Sequence, residues 1–199
     1  MVIGVTGGVG VGKSQLMEFF KKECQADVLL ADDAAKEVME PEGEAYPALV
    51  EEFVKKEGLS LLTPSGGIDR KALARVVLSH RERLERLNAI VHPIVISQIR
   101  KKAESTGKEE LFVFETALLF EADCGKYCDE IWCVTADLDT RIKRLMENRG
   151  YTREKALAFM KNQKDPEELA TRSDVVLENN GTVPELWEKA RKQLKRTKK

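Results

Sequence analysis

The residues Gly7-Gly8-Val9-Gly10-Val11-Gly12-Lys13-Ser14 match G-x-x-x-x-G-K-[ST] and limit what this chain can become more than any other segment does. They follow a short apolar run, Val2-Ile3-Gly4-Val5, and precede a stretch in which Leu16, Phe19 and Phe20 recur at helical spacing. Strand, loop and helix in that order form a phosphate cradle. The glycines let backbone N–H groups converge on phosphate oxygens, and the helix presents its positive end. Lys13 adds a cation, and Ser14 offers a hydroxyl to Mg²⁺.

Four further apolar runs follow: Val28-Leu29-Leu30-Ala31, Leu111-Phe112-Val113-Phe114, Ile131-Trp132-Cys133-Val134 and Val175-Val176-Leu177. Uninterrupted apolar strands separated by helical patterns predict an α/β fold with a parallel five-stranded sheet covered by helices on both faces. Such a sheet binds its ligands at the carboxyl ends of its strands, so the polar residues after each run matter most. Two stretches exceed ordinary crossovers. Residues 34–110 are mostly helical in period, with a break at Thr63-Pro64-Ser65-Gly66-Gly67, and Leu138 to Thr171 is interrupted at Arg149-Gly150 and at Asp165-Pro166. The chain therefore reads as one domain, with a core of 1–33, 111–137 and 172–199, a helical insertion at 34–110 and a lid at 138–171.

Composition narrows the partners. Lysine plus arginine number 33 against 34 aspartate plus glutamate, so no global positive field draws the molecule to nucleic acid or anionic lipid. No apolar stretch is long enough to span a membrane, and the start of the chain lacks the pattern of a secretory signal. Cys24, Cys124, Cys128 and Cys133 contain no C-x-x-C pair, which fits free thiols in a reducing cytoplasm better than a metal centre. The basic run from Lys189 to Lys199 fits a solvated helix end.

Asp32-Asp33 follow the second run, where a carboxylate can take a proton from an attacking hydroxyl, hold Mg²⁺ through water, or cap the next helix. Glu115 closes the third run and faces either Mg²⁺ or an acceptor substrate. Arg141, Lys143, Arg144, Arg149 and Arg153 form either a flap over transferring phosphates or a solvated cationic face. Asn162-Gln163-Lys164-Asp165 imitates a guanine-recognition motif, but no Asp-x-x-Gly accompanies it and the residues before it look helical. A nucleotide-dependent switch is therefore the remoter reading, and another P-loop kinase of nucleotides or small alcohols the nearer.

The order of these motifs resembles the dephospho-coenzyme A kinase family over nearly the whole chain. The resemblance runs from Val5-Thr6 through the phosphate loop to Leu30-Ala31-Asp32 and Glu37-Val38-Met39-Glu40-Pro41. It continues in Leu87-Asn88-Ala89-Ile90-Val91-His92-Pro93, Leu118-Leu119-Phe120-Glu121 and Arg144-Leu145-Met146 with Arg149. Gln163, Arg172, Asp174 and Asn179-x-Gly181 complete it. Three positions depart from the family pattern: Leu30 and Glu115 stand where Asp is usual, and Ala117 where Pro is usual.

The resemblance implies a P-loop nucleoside triphosphate hydrolase fold and transfer of the ATP γ-phosphoryl group, with Mg²⁺, to the ribose 3′-hydroxyl of dephospho-coenzyme A. Asp32 matches the general base, and Lys13, Arg144 and Arg149 match the groups that stabilise the transferring charge. The implied nucleotide site comprises Gly7, Gly8, Gly10, Val11, Gly12, Lys13, Ser14, Gln15, Arg144, Asn179 and Gly181, with Ser14 on the metal. Asp32, His92, Glu115 and Leu118 are the implied acceptor contacts, His92 serving as a substrate contact or helix-end packing group. The expected partners are small molecules alone, with no nucleic acid or membrane, for a monomer or weak homo-oligomer.

Overall fold

A computed structural model describes residues 1–161 and 163–197, and the described residues form two compact units, 1–29 with 103–197, and Leu30–Lys102. The first carries a five-stranded sheet in the order β2-β3-β1-β4-β5, with β1 Val2–Thr6, β2 Asp27–Leu30, β3 Phe112–Glu115, β4 Glu130–Thr135 and β5 Val175–Glu178. Strand β1 runs parallel to β3 (Val5↔Glu115) and to β4 (Val5↔Trp132), and β4 runs parallel to β5. All five residues of β1 are buried, as expected of a central strand with both faces covered. Helix α1, Lys13–Glu23, lays Leu16, Met17, Phe19 and Phe20 into the core, and Phe20 meets Trp132 at 5.3 Å between ring centroids. Helix α9, Val183–Thr197, packs its Trp187 against Phe19 at 6.0 Å.

The second unit is helical. It holds α2 Ala31–Glu37, α3 Tyr46–Leu49 continuing into a π-helical turn Val50–Lys56, α4 Arg70–Leu78 and the long α5 Arg81–Ser105, whose last residues lie in the first unit. Asp69 caps α4 by accepting from the amides of Lys71 and Ala72. The expected break at 63–67 is a tight turn closed by an antiparallel bridge between Leu62 and Ile68.

Between β4 and β5 the chain forms α6 Leu138–Arg149, α7 Arg153–Lys161 and α8 Pro166–Thr171. Gly150 ends α6 at φ +61°, and Asp165 with Pro166 begins α8, so both interruptions expected here are present. One boundary differs: Ala31, read as the end of a strand, is the first residue of α2. No helix of the described residues is long and apolar enough to cross a membrane.

Candidate active site

The phosphate loop is shaped by backbone that side chains resist. Gly7 and Gly12 have φ of +139° and +99°, and a Cβ would strike the Val134 carbonyl at the first and the Asn179 side-chain amide at the second. Among the described residues the amides of Gly10, Val11, Gly12 and Lys13 donate to no carbonyl or side chain, leaving a row of donors at the start of α1. Val9 anchors the loop from behind, its side chain buried with Ile142, Leu145 and Ala156.

Lys13 folds back over this loop. Its Nζ donates to the carbonyls of Gly7 at 2.8 Å and Gly8 at 3.1 Å, and lies 3.5 Å from Glu115 Oε1. The pair is possible because Glu115 closes β3 in register with Val5, beside the strand that feeds the loop. Ser14 and Gln15 are exposed on the first turn of α1, and the Gln15 carbonyl accepts from Trp187 Nε1 at 2.9 Å. The hydroxyl of Ser14 and the carboxylate of Glu115 are hard oxygen donors of the kind Mg²⁺ takes, so the residues present fit that ion.

The basic residues of 141–153 divide by position. Lys143, Arg149 and Arg153 are exposed, and Arg149 makes no ion pair among the described residues. Arg144 is half-buried. Its Nη1 donates to the carbonyls of Asn179 at 2.9 Å and Val11 at 3.3 Å, and its Nη2 donates to the Gly181 carbonyl at 3.1 Å. Asn179 is buried and donates its Nδ2 to the Val11 carbonyl at 2.7 Å. Arg144, Asn179 and Gly181 are thus tied to one end of the phosphate loop, and Arg149 is not.

Two groups named in the sequence hold positions in this unit that the sequence did not indicate. Arg141, read with the cationic flap, is 6% exposed and donates its Nε to the Val9 carbonyl at 2.9 Å. Burial pushes its guanidinium below the ordinary arginine value. Gln163, read in the guanine-like motif and in the resemblance, accepts the Val9 amide at 2.9 Å. A signal for Arg141 did exist, because positions 141, 142 and 145 share one helical face and Ile142 and Leu145 make that face apolar.

The segment Leu118-Leu119-Phe120-Glu121 meets residues flanking both ends of α8. Arg172 lies 4.1 Å over the Phe120 ring, and Lys164 Nζ lies 3.4 Å from Glu121 Oε1. Leu118 donates its amide to Thr116 Oγ1 at 3.1 Å, which fixes the turn after Glu115. Of the guanine-like motif, Asn162 lies outside the described residues, and Asp165 serves as a helix cap, accepting from the Glu167 amide at 2.9 Å. None of the four cysteines is in a disulfide.

In the helical unit, Asp32 and Asp33 lie in the first turn of α2, and the capping position belongs to Leu30, so neither is a helix cap. Asp33 pairs with Lys36 at 2.6 Å, whereas the exposed Asp32 makes no ion pair or hydrogen bond among the described residues. His92 is half-buried in α5, and burial holds its imidazole below the ordinary histidine value, favouring the neutral ring.

A family model described as dephospho-CoA kinase matches residues 1–185. The dephospho-CoA kinase of Fusobacterium nucleatum is 35% identical over 189 residues, covering 95% of this chain and 94% of that protein. That of Carboxydothermus hydrogenoformans is 36% identical over 184 residues, covering 92% and 87%. A solved Thermus thermophilus structure superposes with a TM-score of 0.79 at 32% identity, covering 99% of this chain and 97% of the other. The shikimate kinase of Bacteroides thetaiotaomicron shares the fold alone, with a TM-score of 0.56 at 13% identity and 98% of each chain covered.

Proposed function

We infer that this chain, which belongs to the dephospho-CoA kinase family, transfers the γ-phosphoryl group of ATP to the ribose 3′-hydroxyl of dephospho-coenzyme A, giving coenzyme A and ADP. The family match across residues 1–185 carries this reading, and the loop supports it, with its row of donor amides and Lys13 paired to Glu115.

Phosphoryl transfer asks a protein chiefly for positioning and charge neutralisation. Asp32 accepts the proton of the acceptor hydroxyl as its oxygen bonds to the γ-phosphorus and the bridging P–O bond to ADP breaks. The loop amides and Lys13 hold the donor phosphates. On binding, phosphate oxygens compete for the ammonium that now serves the Gly7 and Gly8 carbonyls. Ser14 and Glu115 would hold Mg²⁺, whose chemistry is to neutralise phosphate charge. Arg144 steadies the loop bearing Asn179 and Gly181 on the adenine side, while the exposed Arg149 is free to reach the transferring group. His92 contacts the acceptor as a neutral ring, and Leu118 lines its site. Helices α6 to α8 act as the lid and the helical unit holds the acceptor. The reaction belongs in the cytoplasm, in keeping with four cysteines outside any disulfide, and needs no more than a monomer or weak homo-oligomer.

The test is ADP release by purified protein with Mg-ATP and, in turn, dephospho-coenzyme A, nucleoside monophosphates, shikimate or no acceptor. Stimulation by dephospho-coenzyme A alone is expected. Stimulation by another acceptor, or none, overturns the assignment.

A further inference from the structure

Arg141 is a buried cation with no counter-charge among the described residues. Its guanidinium makes no ion pair among the described residues, and its hydrogen bonds go to two neutral oxygens, the Val9 carbonyl and, at 3.3 Å from Nη2, Gln163 Oε1. Leaving a charge so placed is costly unless an anion visits it. The same Gln163 oxygen also accepts the Val9 amide, so a loop amide and a guanidinium N–H converge on one atom. Two donors, one cationic, aimed at one oxygen beside a phosphate loop make a site for an anionic oxygen. From Val9 to Lys13, the loop amide already engaged is the one that Gln163 occupies.

We propose that Arg141 is a phosphate-binding residue of the nucleotide site, and that Gln163 Oε1 is an internal stand-in which a phosphoryl oxygen of the nucleoside triphosphate displaces. This rests on the reading of ATP as donor. On binding, Val9 N–H and Arg141 Nη2 pass from the carboxamide to the phosphate, while Nε keeps the Val9 carbonyl. Gln163 is thereby released from the loop.

Calorimetric titration with inorganic tripolyphosphate, ATP and adenosine tests this without any acceptor, and so separates it from the kinase assignment, which the acceptor panel decides. Arg141→Gln should weaken tripolyphosphate and ATP about tenfold or more, the scale of a charge-assisted hydrogen bond, and leave adenosine unchanged. Gln163→Ala removes the competitor and should tighten both phosphate ligands about fivefold. Gln163→Glu supplies an internal anion, so it should weaken them about tenfold and raise the melting temperature of the ligand-free protein. Should Arg141→Gln fold poorly, the two Gln163 variants still decide through their opposite signs. Wild-type tripolyphosphate affinity in Arg141→Gln, equal losses for adenosine, or a Gln163→Glu protein that binds phosphate no worse than wild type would each overturn the proposal.

Discussion

Glu115 lies 3.5 Å from the ammonium of Lys13, and both side chains are more than four-fifths buried. The carboxylate therefore sets where the loop's cation rests before nucleotide arrives. Replacing Glu115 with Gln keeps the shape and removes the charge. Turnover should fall roughly tenfold or more, since a charge-assisted contact of this kind contributes about 1.5–3 kcal/mol. Steady-state ADP release measures it, and unchanged turnover would remove Glu115 from the site.

Asp32 carries a different burden. Asp32→Asn should lower turnover about 10²–10⁴-fold, the usual range for a general base, with ATP affinity close to wild type. Single-turnover rates and a binding titration check the two halves separately. A variant that turns over normally shifts the base to another group.

The Gly12 backbone sits at φ +99° with Asn179 Nδ2 where a Cβ would go. Gly12→Ala thus meets strain and collision together, and ATP affinity should drop roughly tenfold or more, since such strain costs about 1–3 kcal/mol. Asn179→Ala removes the collision and the shorter of two bonds to the Val11 carbonyl, which keeps Arg144 as a donor, at a cost of about 0.5–1.5 kcal/mol in denaturant unfolding. If the two effects are coupled through one contact, the double variant loses less affinity than the single changes would add up to.

Cys128 provides a pH signature. Burial is the main cause that pushes its thiol up to about 12, with the neighbouring Cys124 adding to it. Between the unfolded thiol value of ~8.5 and that figure the folded chain holds a proton the unfolded chain has lost, so stability declines as pH rises through this window. Urea unfolding from pH 8 to 10 should give this decline, and Cys128→Ala should flatten it. An identical slope in the variant would place the loss elsewhere.

The five strands were legible because central parallel strands are apolar on both faces, a pattern that survives in one dimension. Their order was not. Nothing in Leu111-Phe112-Val113-Phe114 records that β3 inserts between β2 and β1, since neighbour choice depends on contacts across more than a hundred residues. The π-helical turn at Val50–Lys56 escaped for a related reason: Leu49 and Phe53 keep the spacing of an ordinary helix. Asp33 and Lys36 form a local pair that a helix wheel anticipates, whereas Arg141 and Gln163 meet Val9 across more than 130 residues, and no local pattern encodes such a meeting. The loop itself was readable because its requirements, left-handed backbone and close approach, are written directly as glycine.

The bond from Trp187 Nε1 to the Gln15 carbonyl ties an indole to the first turn of α1. The chain has two tryptophans, and the other, Trp132, is sealed at 0% exposure. Emission from Trp132 should therefore stay nearly constant, while the wavelength and intensity from Trp187 should follow the polarity around the turn that carries Ser14. The protein thus carries an indole on the first turn of α1 that stopped flow can read without a label.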